Sequence, residues 1–138
     1  MFGNFALHPQ LGRDTIELGD LPLSRVLIIN DANYPWVLLV PRRPDISEIT
    51  ELDEVERAQL MTEINRIAAA LKAVTKCDKL NIAALGNVVS QLHVHIIGRR
   101  KTDKAWPKPV WGVVPAISHD PAELKLFMDA MREKVWLD

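Results

Sequence analysis

Apolar residues recur every three or four positions over two stretches of the chain, and at shorter, denser spacing over four others. In the first long stretch, Leu60, Ile64, Ile67, Leu71 and Val74 fall on one helical stripe, which predicts a helix from about Asp53 to about Thr75. Asp53 with Glu56 three residues on supplies its N-cap pair. The second stretch places Leu124, Phe127, Met128, Met131 and Val135 on a stripe, with Asp120 to cap, Pro121 at the first helical position and Glu123 to reach back. Four runs read as strands: Val26–Ile29, Trp36–Val40, Leu80–Ala84 and Val88–Ile97. Asn30 through Pro35 separate the first two, Pro41 ends the second, and Leu85-Gly86-Asn87 parts the last two as a hairpin turn would. Strands, a long helix, strands and a final helix do not alternate as a doubly wound sheet requires, so the expected class is α+β with an antiparallel sheet. The stretch Trp106–Gly112 is short and aromatic for a linker and is expected to pack as a loop on the sheet.

The 138 residues fit one domain, 1–138, and carry no internal repeat. No apolar run approaches the ~20 residues of a membrane-spanning helix, so no membrane partner is expected. The start Met1-Phe2-Gly3-Asn4-Phe5 lacks a basic, long apolar secretory signal, and Cys77 has no second cysteine to pair with. A reducing cytoplasm is the expected compartment. A formal net charge of −1 excludes the one-signed surface of a protein that holds long nucleic acid, but leaves room for a small anion at a local cluster.

Candidate chemistry concentrates in the last strand run. Strand alternation puts Val89, Gln91, His93, His95 and Ile97 on one face and the mostly apolar Val88, Ser90, Leu92, Val94 and Ile96 on the other, which should pack against a helix. Successive members of the polar row stand roughly 6–7 Å apart, so one phosphate could touch two of them. A neutral imidazole can attack phosphorus without prior deprotonation, provided one ring nitrogen is bare and the other holds its proton against an acceptor such as a backbone carbonyl. Two readings compete. An edge strand can carry two exposed histidines with no function. A zinc site could use both, but zinc usually takes three or four protein ligands, and His8 and His119 adjoin Pro9 and a helix cap. No metal or other cofactor is expected.

The run from Gly86 to Ile97 resembles the signature strand of the histidine triad (HIT) family, His-φ-His-φ-His-φ-φ with φ apolar. Gln91 occupies the first triad position. His93 matches the middle histidine, which in that family forms a covalent nucleotidyl intermediate, and His95 matches the third, which contacts phosphate oxygens. Asn81 before the motif, the long helix and Val40-Pro41 also correspond, so the resemblance covers about Val26 to Arg99. It implies a sheet of about five strands, a homodimer in which two sheets join, and a nucleoside pocket walled by the first strands, with Asn30 or Asp31 on the ribose hydroxyls. Plain turn chemistry is the competing account of Asp31.

Two positions depart from the family pattern. The Gln91 amide cannot shuttle a proton near neutral pH, which leaves proton delivery to the leaving group open while nucleophilic attack is not affected. Trp36 stands where many members carry a histidine; it could wall the base pocket or serve the core. The basic clusters Arg42-Arg43 and Arg99-Arg100-Lys101 each follow a strand, where they could draw in polyphosphate, and Arg99 continues the histidine face. The expected site is therefore His93, His95 and Gln91 for catalysis, with Asn30, Asp31, Asn81, Asn87 and Arg99 for binding. The expected activity is hydrolysis or nucleotidyl transfer at the α-phosphate of a small nucleotide, through nucleotidyl-His93, on dinucleoside polyphosphates or nucleoside phosphoramidates. A nucleotide-binding module with lost or attenuated catalysis is the rival, motivated by Gln91.

Overall fold

The computed structural model describes residues 4–137. Met1–Gly3 and Asp138, the ends of the domain expected over 1–138, lie outside the described residues.

The expected long helix is present as α2 (Glu54–Thr75), capped by the reciprocal Asp53–Glu56 box and ended at Lys76 in the left-handed conformation. Its stripe holds: Leu60, Ile64, Ile67 and Leu71 are buried. The C-terminal helix α3 (Pro121–Arg132) starts at the Asp120 cap with Pro121 in its first turn, and a wider π-helical turn, Glu133–Leu137, continues it. The strands are β1 (Thr15–Asp20), β2 (Ser24–Ile29), β3 (Trp36–Pro41), β4 (Lys79–Ala83) and β5 (Val94–Arg99), joined in the order β1-β2-β3-β5-β4 with every neighbour antiparallel. The α+β architecture is as expected.

Both faces of the sheet are covered, which is why β2 and β3 read as unbroken apolar runs. On one face, Val26, Ile28, Val37, Leu39, Val94 and Ile96 pack against α2 and against Met131 and Val135. On the other, Leu27, Trp36, Leu38, Val40 and Ile97 pack against Leu11, Ala105 and Val110, contributed by the N-terminal segment and by the loop after β5. The Trp106–Gly112 stretch therefore lies on the sheet, as expected.

Three expectations require correction. The first strand of the sheet, β1, and the six-residue helix α1 (Pro9–Asp14) before it were not anticipated. Helix α1 is too short to display a helical period, and a bulge between Glu17 and Gly19 breaks the alternation of β1. The last strand begins at Val94, not Val88, so residues 84–93 form a long connection in place of a tight hairpin. The reason lies in the neighbours: β4 pairs only as far as Ala83↔His95 and β3 only as far as Leu39↔Val94, after which β3 ends at Pro41, which has no N–H to offer a ladder. The expected alternation consequently holds for Leu92, Val94 and Ile96, which reach the helix-side core, and fails for Val88, which is 95% exposed.

Candidate active site

A cleft of about 550 Å³ opens on the face of the sheet that α2 does not cover. Its floor is Trp36 and Leu38 from β3 with His93 and His95. One wall is α1, through Leu11 and Arg13; the others come from the 84–93 connection, including Asn87 and Val89, and from the loop after β5, including Trp111. Asn30 and Asp31, at the end of β2, also line it.

His95 sits on β5 opposite Leu38 and diagonal to Trp36, which pairs with Ile97. His93 stands just ahead of the strand. Both are buried, and their rings meet edge to face with centroids 4.9 Å apart. The hydrogen bonds around them define where the protons are. Nδ1 of His93 lies 2.7 Å from the carbonyl oxygen of Gln91. A carbonyl only accepts, so Nδ1 carries the proton and Nε2 of a neutral His93 is bare. The Trp36 indole N–H donates to Nδ1 of His95 at 3.0 Å. Burial, with the adjacent His93 as a second cause, lowers the pKa of His95 from 6.5 to about 4, so that ring is neutral at physiological pH. Trp111 closes the group, with its ring centroid 5.0 Å from that of His95 and 5.8 Å from that of Trp36.

The structure brings His93, His95, Asn30, Asp31 and Asn87 to one cleft and takes three other expected site residues elsewhere. The Gln91 side chain points to the N-terminal segment: its Oε1 accepts the His8 N–H at 2.8 Å and its Nε2 donates to the Ala6 carbonyl at 2.9 Å. The expectation that it faces the cleft beside His93 assumed an extended strand at 88–93, and that assumption fails. Arg99 and Asn81 are also absent from the lining. Arg99 is almost fully buried, donates to both Asp103 oxygens at 2.8 and 3.0 Å and to Asn81 Oδ1 at 2.8 Å, and lies against the rings of Tyr34 and Trp106. The basic clusters likewise serve the fold: Arg42 donates to the Leu21 and Leu23 carbonyls, Arg43 to Glu56, and Arg100 to the Thr75 carbonyl. At the cleft, Asp31 Oδ1 accepts from the Asn33 backbone and side chain and from Ile117 N, which is the turn chemistry that competed with ribose binding. Asn30 Oδ1 accepts from His119 N.

The α1 wall was not legible in the sequence, nor was the place in the cleft of the loop that carries Trp111, although its packing on the sheet was expected. His8-Pro9 is a usable helix-start signal, since the His8 ring accepts the Gln10 N–H and Pro9 stands in the first turn. Nothing in the local pattern signals that Trp111 folds back over the histidines.

A five-stranded antiparallel sheet with its two longer helices on one face and a histidine-floored cleft on the other defines the class. Residues 13–102 match the HIT domain. The chain is 65% identical to a histidine triad protein from Bradyrhizobium japonicum, over 96% of this chain and 98% of that one, with a TM-score of 0.95. It is 43% identical to a histidine triad protein from Sinorhizobium meliloti (97% and 99% covered, TM-score 0.95) and 39% identical to one from Marinobacter aquaeolei (95% and 96%, TM-score 0.92). No curated protein matches. The chain belongs to the HIT family, whose membership points to nucleotide-binding hydrolase or transferase activity.

Proposed function

We propose that this protein cleaves nucleotides at the α-phosphate through a covalent nucleotidyl-His93 intermediate. The observation that carries the reading is the His93 hydrogen bond to the Gln91 carbonyl, which leaves Nε2 bare beside a cleft of nucleotide size. Nε2 attacks the α-phosphorus, the bond to the leaving group breaks with its electron pair going to that group, and water or another acceptor then displaces the nucleotide from His93. His95 donates to the phosphoryl oxygens as charge grows on them. The apolar part of the cleft, Leu11, Ile29 and Leu38, accepts the nucleoside, with Asn30 and Asn87 as polar contacts. Dinucleoside polyphosphates and nucleoside phosphoramidates are the substrate classes. A second reading, binding without turnover, is supported by the first triad position, where Gln91 has no titratable group and its amide is held by Ala6 and His8. AMP release from a phosphoramidate and from a diadenosine polyphosphate, compared between wild type and folded His93→Ala, separates the two. The proposal expects a loss of at least about 10³-fold in the variant; no release by wild type from either compound favours binding alone.

We also read the chain as a homodimer joined through β4. That strand is a sheet edge, and the apolar Ile82, Leu85 and Val88 on or just after it are exposed.

A further inference from the structure

The contact between Trp36 and His95 fixes which nitrogen of the neutral His95 ring carries the proton. An indole N–H has no lone pair to offer and can only donate. Its 3.0 Å approach to Nδ1 therefore requires a lone pair on that atom, and the neutral ring must carry its proton on Nε2. His93 is held the opposite way, by a carbonyl that can only accept. Two imidazoles 4.9 Å apart thus present unlike atoms: a bare nitrogen on one and an N–H on the other. In water a neutral imidazole exchanges between its two tautomers and takes up a proton near pH 6.5. Neither alternative state fits this arrangement: the other tautomer would turn a lone pair toward phosphoryl oxygens, and the cation, with N–H on both nitrogens, would have no lone pair for the indole N–H.

The surroundings of His95 favour the same state. The ring is 6% exposed, and Trp36 and Trp111 pack against it at 5.8 and 5.0 Å between centroids. His93 is the titratable group in ring contact, and the charged side chains lining the same cleft are Arg13 and Asp14 from α1 and Asp31 from the turn after β2. The hydrogen bond that His95 receives comes from the Trp36 indole, which therefore distinguishes its two nitrogens.

We propose that Trp36 is a positioning residue whose indole N–H locks His95 as the neutral Nε2–H tautomer, converting a titratable side chain into a permanent donor to the phosphoryl group. The role for that donor rests on the reading under Proposed function; the lock does not. Imidazole nitrogen NMR on wild-type protein labelled with ¹⁵N tests it without any turnover. The expected result is a protonated Nε2 and a bare Nδ1 on His95, unchanged from pH 5.5 to 8. A protonated Nδ1, an exchanging mixture, or titration across that range overturns the proposal. In Trp36→Phe, the same spectra should show His95 exchanging between tautomers, and kcat should fall about tenfold with KM within about threefold, the loss one oriented hydrogen bond produces. A variant that keeps the Nε2–H tautomer overturns the proposal as well. If wild type shows the tautomer but neither compound is cleaved, the lock stands and only the catalytic reading fails.

Discussion

The Gln91 amide stands at the first triad position of the chain without lining the cleft. In the folded chain, the Gln91 backbone carbonyl orients His93 while its side-chain amide clamps the segment that leads into α1. Because α1 contributes Leu11 and Arg13 to the cleft, the clamp is expected, on the proposed function, to bear on substrate binding more than on the chemical step. Gln91→Ala is expected to raise KM about tenfold, as two hydrogen bonds of ~0.5–1.5 kcal/mol each are lost, with kcat within about threefold. Steady-state kinetics check this, and a kcat collapse at constant KM would return Gln91 to the reacting atoms. His93 and His95 were legible as candidates because the run from Gly86 to Ile97 resembles the HIT signature; their spacing of two alone fits an edge strand without function equally well. Trp36 as the partner of His95 was not, because the two are 59 residues apart and meet only through the β3–β5 register.

At the scale of elements, the loop after β5 depends on one carboxylate. Asp103 accepts from Arg99 twice and from the backbone N–H groups of Arg100, Ala105 and Trp106, tying the end of β5 to the start of the loop that delivers Val110 and Trp111. The Arg99 hydrogen bonds, aided by those backbone donors, hold its pKa down at about 2, from 3.8. A carboxyl whose pKa is lower folded than unfolded stabilises the fold above the unfolded value and loses that contribution as pH falls, here through the window from about 4 to about 2. Asp103→Ala leaves a buried guanidinium uncompensated and is expected to cost about 3–5 kcal/mol. Denaturant unfolding at neutral pH measures it, and a change under 1 kcal/mol would mean that Arg99 finds another partner. The long helices were legible from period and caps alone, since Asp53-Glu56 and Asp120-Pro121 are local chemistry. α1 and β1 were not, because six residues cannot show a 3.6-residue repeat convincingly and the alternation in β1 is broken by a bulge between Glu17 and Gly19.

For the whole molecule, the proposed pairing through β4 sets the expected particle. Light scattering of the purified protein should give twice the 15.6 kDa chain mass, and Ile82→Asp, which puts a charge on the exposed edge, should shift it toward the monomer. A wild-type monomer at micromolar concentration would overturn the pairing. The amino-acid sequence by itself determined the class of fold, the two long helices, the helix-facing side of Val94 and Ile96, and the histidine pair, because each is written in residues within a turn or two of one another. Tertiary structure alone decided which side chains share the cleft with that pair. Whether Gln91, Arg99 and Asn81 face the cleft or other parts of the fold depends on where ladders run out, at Pro41 and Ala83, and on which distant N–H or oxygen lies within 3 Å. Such hydrogen bonds join residues 18 to 85 positions apart, a separation at which no local pattern carries information.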